Sequence, residues 1–190
     1  ILEFGKVVRI YRHEARSKKS FRILNHNKGA NNSSQLTFKN LTTDALFAKK
    51  RVVVFAVPAA FAPTCSIRHL PRYEQLYDSF QVLGIDEVFC LSVNDPFVMY
   101  EWGKLQGANK VKLLPDGNGE FTRKMGMLVE KGNLGCGLRS WRYSMFVEDG
   151  VIKKVFVEDG FSDNSSIDPL EVTNADTMLN YIQNWREPFP

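Results

Sequence analysis

Five stretches of the chain are apolar and rich in β-branched or aromatic residues, and each reads as a buried strand: 52–57, 87–93, 111–114, 143–148 and 151–157. Residues 35–38 read as a shorter one. Asp149-Gly150, between the last two long runs, is the strongest hairpin signal in the chain. Elsewhere the apolar positions fall into helical spacing. Ile67, Leu70, Tyr73, Leu76, Tyr77 and Phe80 predict a helix over 66–83, with Pro71 kinking it or breaking its start and Gly84 ending it. Asn94-Asp95-Pro96 opens a helix through about Gln106. Shorter helices are predicted over 44–48, capped by Thr42 or Thr43, and over 121–128. A last helix, capped by Thr173 or Asn174, runs to Trp185 and turns Met178, Leu179, Ile182 and Trp185 inward. Residues 25–34, rich in Asn, Gly and Ser, read as a loop or hairpin tip.

Strands alternating with helices, closed by a hairpin and a helix, predict an α/β domain with a mixed central sheet flanked by helices. The run RVVVFAVPAAFAPTCSIRHL is its centre. A strand ends at Pro58, crosses an apolar loop and delivers Cys65 to the first turn of the next helix. There the helix dipole and unpaired N–H groups favour thiolate over thiol, which makes Cys65 the candidate reactive cysteine. A cysteine at such a junction is the thioredoxin-like placement. Arg68 stands where a dithiol oxidoreductase carries its second cysteine, so dithiol exchange is disfavoured.

Composition narrows the class without moving the centre. With 190 residues, 44% hydrophobic and 24% charged, the chain is of ordinary globular make-up and one domain is the default. No apolar run is long enough to cross a bilayer. Three cysteines make no disulfide framework, which favours a reducing compartment and a cytoplasmic location. The net charge of +4 is uneven: residues 1–50 hold eleven Lys/Arg against three Asp/Glu, and the remainder is mildly acidic. We therefore divide the chain into a basic extension, 1–34, ordered at most in part, and a thioredoxin-like domain, 35–190. The basic stretch 6–28 reads as a basic extension, a first strand with solvated ends, or the remnant of a targeting peptide. The last would mean a mitochondrion or plastid. The opening residue is Ile1, so a longer product or processing is expected. No basic face with interleaved aromatics follows residue 50, so a nucleic-acid partner is not expected.

The blocks PAAFAPTCSIRHLPRYEQL, VFCLSVNDPFVMYEWGK, LLPDGNGEFTRKMGMLVE, LRSWRYSMFVEDGVIKKVFVE and DPLEVTNADTMLNYI resemble the peroxiredoxin 5 group, also called type II peroxiredoxins. They are especially similar to the bacterial branch in which such a domain is sometimes fused to a glutaredoxin. The resemblance covers about residues 36–183. It implies a thioredoxin fold and a homodimer that reduces hydrogen peroxide and alkyl hydroperoxides through a cysteine sulfenic acid. It implies no cofactor, and regeneration by glutathione, glutaredoxin or thioredoxin. Carried over, Cys65 is the peroxidatic cysteine, Pro58 the motif proline and Arg142 the active-site arginine, with Phe61, Ala62, Thr64 and Cys65 lining the substrate pocket. Two positions depart from the family motif: Ala59 replaces the usual glycine, and Ala62 replaces the Thr or Ser whose hydroxyl contacts the peroxide. A lost preorganised donor can cost roughly 3 kcal/mol, or about a hundredfold in rate, so a slower peroxidase is expected. The alternative is a redox sensor or interaction protein that keeps a sulfenylatable Cys65 but has lost fast turnover.

Other candidates are weaker. Cys90, in a strand, reads as a small core hydrophobe; its 25-residue spacing from Cys65 resembles the plant type II pattern, which keeps a resolving role open. Cys136, between two glycines, reads as incidental, and a one-cysteine cycle is the better expectation. His69 lies four residues after Cys65 and invites a Cys–His protease reading, but no Asn or Asp orienter has a motif around it. Three scattered His and three Cys show no metal spacing. Phe97, Tyr100, Trp102 and Trp141 are expected in the core; in the family such residues also rim the pocket and the dimer contact.

Overall fold

The computed structural model of the chain describes residues 20–28 and 34–185. The reading of residues 6–19 therefore lies outside the described residues. Strands β1 (Ser20–Lys28) and β2 (Ser34–Thr42) form an antiparallel ribbon. Residues 25–28 are thus strand rather than loop, and β1 is tied to the body by buried Phe21, whose ring lies 5.4 Å from that of Phe121. Helix α1 (Thr43–Phe47) starts where Thr42 Oγ1 accepts the Ala45 N–H at 3.1 Å.

The main sheet has the order β5-β4-β3-β8-β9. Its strands β3 (Arg51–Ala56), β4 (Glu87–Ser92) and β5 (Lys112–Pro115) run parallel. Strands β8 (Tyr143–Glu148) and β9 (Val151–Val157) add antiparallel on the other side of β3. The two faces of β3 bury different cores, as strand alternation requires. Val53, Phe55 and Val57 pack with α2 (Leu70–Gln75), α3 (Tyr77–Val82), α4 (Pro96–Gln106) and α6 (Ala175–Asn184). Val52, Val54 and Ala56 pack with Phe21, Phe47, and Phe121 of α5 (Glu120–Lys124). This is the thioredoxin-like layering of a mixed sheet between helices. Helix α4 lies so close to β5 that a Cβ at Gly103 would fall 2.5 Å from Leu113 Cδ1.

The region after α5 differs from expectation. The helix expected over 121–128 stops at Lys124, and Gly126 adopts a left-handed conformation at φ 65°. The chain then forms a small ribbon of β6 (Leu128–Glu130) and β7 (Leu138–Ser140). Three-residue strands carry too little alternation to be read from sequence.

Candidate active site

Cys65 sits in a widened helical turn, Cys65–His69, where the Leu70 N–H reaches back five residues to the Cys65 carbonyl. Pro71 explains the widening: its ring would collide with the Ile67 carbonyl in a regular helix, and it has no N–H to give. So Pro71 does not kink the helix but splits it into this turn and α2. The turn is pinned by Ser66, whose Oγ accepts the indole N–H of buried Trp102 at 3.0 Å. Upstream, Ser92 Oγ donates to Asn94 Oδ1 at 2.7 Å and lies 3.3 Å from Val57 O, and Ala60 N–H donates to the same Oδ1 at 3.0 Å. That fixes the loop carrying Pro58, which is half-buried, as are Ala62 and Thr64. Phe61 is exposed, in the left-handed region at φ 64°.

Register supplies the partner from across the sheet. Phe55 pairs with Ser144 and Ala56 with Tyr143, so Arg142 takes the next position on the Phe55 face, beside Cys65. Its Nη1 donates to Cys65 Sγ at 3.6 Å and to His69 Nδ1 at 3.0 Å, and Nη2 donates to Asp168. Nε is buried without a hydrogen-bond partner. Arg142 and His69 are both buried. His69 Nε2 lies 3.1 Å from the Thr173 carbonyl. A guanidinium only donates and a carbonyl only accepts, so His69 is the neutral tautomer with its proton on Nε2. Burial, and secondarily Arg142, lower its pKa from 6.5 to about 3. The Thr173 carbonyl is fixed in turn. Tyr73 donates to it at 2.9 Å, and buried Glu158 Oε1 accepts the N–H groups of Glu171, Val172 and Thr173 and the Thr173 hydroxyl at 2.8–2.9 Å.

One expectation is corrected here. The start of a helix was expected to favour thiolate, yet burial raises the Cys65 pKa above an ordinary thiol's. Arg142 and the Ala59 N–H pull the other way, while Asp168 adds to the rise. Desolvation wins because the sulfur has no exposed surface.

The structure thus gathers Cys65, Arg142 and His69, with the Pro58–Thr64 loop against them. Cys90 is a buried free thiol in β4, paired in register with Phe55 and Leu113, and Cys136 is a half-buried free thiol between β6 and β7. Trp102 and Trp141 are buried, whereas Phe97 is exposed, edge-on to exposed Phe38 at 5.7 Å. Sequence reasoning missed Asp168, Glu158 and Thr173, and placed His69 in a protease frame rather than against the arginine. Among the described residues no group of His, Cys, Asp and Glu could hold a metal, and no helix is long and apolar enough to cross a membrane.

A buried cysteine beneath a guanidinium on a thioredoxin-like sheet defines a class of thiol-based redox proteins. The chain belongs to the peroxiredoxins: the Redoxin family model matches residues 26–179. Peroxiredoxin sll1621 of Synechocystis is 63% identical over 151 residues, covering 80% of each chain. Hybrid peroxiredoxin hyPrx5 of Haemophilus influenzae is 50% identical over 143 residues, covering 75% of this chain and 58% of that one. Reduced Prx3 of Vibrio vulnificus, crystallised in complex with hydrogen peroxide, superposes with TM-score 0.74 at 36% identity, over 88% of this chain and 92% of that one. The protein is a thiol-dependent peroxidase.

Proposed function

We propose that Cys65 is the peroxidatic residue and that hydrogen peroxide and small alkyl hydroperoxides are reduced on it in a one-cysteine cycle. The observation that carries this is Arg142: its Nη1 touches the sulfur, and its Nε is a buried donor with no partner. A guanidinium held against the sulfur is placed to stabilise the charge that develops on a peroxide oxygen there. The thiolate attacks one peroxide oxygen and the O–O bond breaks. The other oxygen leaves with the bonding pair and takes a proton as water or alcohol, and Cys65 becomes a sulfenic acid. One external thiol displaces water to give a mixed disulfide; a second attacks that thiol's sulfur, the two leave joined as a disulfide, and Cys65 is released and reprotonated as the thiol. His69 stays out of proton transfer, because its acceptor nitrogen is spent on Arg142. Pro58, lacking an N–H, and buried Trp102 keep water off the sulfur.

The thioredoxin-fold reductant is glutaredoxin with glutathione, or thioredoxin. Three features support an external thiol over an internal one: Cys90 is locked in a strand bonded on both edges, Cys136 lies on a separate ribbon, and one similar protein is named as a hybrid peroxiredoxin. A homodimer in a reducing compartment such as the cytoplasm fits the exposed Phe38–Phe97 pair and the free thiols. Two observations favour a slow, sensor-like version of the same chemistry: the methyl of Ala62, and burial that holds Cys65 towards the thiol. Stopped-flow peroxide consumption with excess glutathione and glutaredoxin, then with thioredoxin, decides. Many turnovers abolished by Cys65→Ser establish the enzyme cycle; a single slow oxidation with no turnover establishes the sensor.

A further inference from the structure

The Arg142 side chain is shared between the sulfur and a carboxylate that the reaction itself does not call for. Asp168 accepts from Arg142 Nη2, on the far side of the guanidinium from Cys65, and its own side chain is 44% exposed. Arg142, by contrast, is buried. Asp168 therefore meets the cation at the boundary between protein and water.

Its loop has no regular structure but is clamped on both sides. Before it, Asp163 Oδ1 accepts the Glu130 N–H at 2.8 Å, Asn164 N–H donates to Glu130 O at 2.8 Å, and Lys131 Nζ donates to Ser165 O at 3.0 Å. After it, the Glu158 carboxylate holds the backbone of residues 171–173. The carboxylate is thus delivered to Arg142 by both anchors rather than by a wandering loop. Residues 155–185 contain no Lys or Arg, so nothing within that segment offers Asp168 another cation.

We propose that Asp168 is a positioning residue that orients Arg142 from the solvent side and sets how much of the guanidinium charge reaches Cys65. Holding Nη2 leaves Nη1 facing both Sγ and His69 Nδ1. The same negative charge offsets the cation that stabilises a thiolate, so one contact supplies geometry and restrains reactivity. A variant keeping the hydrogen bond but not the charge separates the two effects. The other titratable groups facing Arg142 are His69 from the widened turn, Cys90 from β4 and Lys131 from the segment after β6, while Tyr73 from α2 and Glu158 after β9 act one step away, on Thr173. His69 is held neutral, and burial raises the Tyr73 and Cys90 pKa values. Lys131, lowered by burial, faces both Asp168 and Arg142. Glu158 is committed to the 171–173 backbone.

The inference rests on Cys65 being the reacting sulfur, and the test keeps the two apart. In the full chain, the pH dependence of the second-order rate with hydrogen peroxide is followed by tryptophan fluorescence. Alkylation of Cys65 by iodoacetamide, mapped by mass spectrometry, gives the same profile without peroxide. Asp168→Asn and Asp168→Ala should both move the midpoint to lower pH, giving about three- to tenfold more reactive thiolate near pH 6. Asn should keep the plateau rate at high pH, and Ala should lower it. A midpoint that stays put or rises in Asp168→Asn overturns the charge role. A uniform loss at every pH reduces Asp168 to a structural prop and also overturns it. Should Cys65→Ser still consume peroxide, the assignment of the sulfur fails first, whatever the Asp168 profiles show.

Discussion

His69 Nδ1 lies 3.0 Å from Arg142 Nη1, so a buried histidine serves as the acceptor that aims a buried arginine. The pair works only with a neutral ring. A protonated His69 would have no acceptor nitrogen and would set two cations against each other out of water. The Thr173 carbonyl accepts the Nε2–H and so fixes the tautomer that leaves Nδ1 free to accept, while burial and Arg142 keep the ring neutral.

That pairing makes stability fall in acid. The His69 pKa is about 3 in the folded protein against 6.5 ordinarily, so below pH 6.5 the unfolded chain binds a proton that the folded one refuses. Its contribution is complete above pH 6.5 and is lost as pH drops towards the folded value, by at most about 1.4 kcal/mol per unit. Urea midpoints measured between about pH 7 and 4.5 should fall more steeply in the wild type than in His69→Gln. A His69 ring proton titrating near pH 6.5 by NMR would contradict the neutral, buried assignment.

The Ala62→Thr substitution tests the most conspicuous departure from the family motif. Ala62 is half-buried and packed against the core that holds Cys65, and its carbonyl already accepts the Ser66 N–H at 2.9 Å. Threonine adds a hydroxyl without disturbing that bond. We expect the peroxide rate constant to rise by about tenfold to a hundredfold in stopped flow. No gain would mean that Thr64 or a backbone donor already supplies the missing contact.

The elements around the site were legible because each was announced by strong local signals. The β-branched run before Pro58 gave β3, Asp95-Pro96 gave the start of α4, and Asp149-Gly150 gave the β8–β9 hairpin. Cys65 and Arg142 were reachable because each lies inside a dense motif. Glu158 was hidden by a bulge. Counting outward from the Asp149-Gly150 turn sets Arg142 opposite Val157, but the irregularity at Phe146/Val147 shifts the register so that Tyr143 meets Val157. Glu158 then falls beside Arg142 on its face, and its N–H donates to the Arg142 carbonyl at 3.2 Å. Asp168 was hidden because a residue in an irregular loop has no periodicity to place it, and only tertiary closure brings it to the arginine.

Glu158 therefore carries a prediction of its own. Its Oε1 takes three backbone N–H groups and a hydroxyl, all of which Glu158→Ala would leave without that acceptor. A loss of about 2–4 kcal/mol is expected, read as a lower denaturant midpoint. The peroxide rate should also fall, because Thr173 would no longer be held against His69. A variant that loses stability but keeps the full rate constant would show that His69 does not need the Thr173 carbonyl.

Cys90→Ser decides between one- and two-cysteine cycles. The Cys90 sulfur is buried, and its strand is bonded to β3 at Phe55 and to β5 at Leu113. To join Cys65 within the roughly 7 Å Cα separation that a disulfide tolerates, either β4 or the widened turn must present its sulfur in a new direction. Moving β4 means breaking ladder bonds at the centre of the sheet, so the external thiol should arrive first. In Cys90→Ser, a hydroxyl placed among apolar neighbours should lower the thermal midpoint, at a cost of about 1–3 kcal/mol. Turnover with glutathione and glutaredoxin should persist. Peptide mapping of the wild type after one equivalent of peroxide and excess glutathione should find Cys65 as a mixed disulfide and Cys90 as a free thiol. A linked Cys65–Cys90 peptide, together with lost turnover in Cys90→Ser, would instead make β4 the mobile element and Cys90 the resolving sulfur.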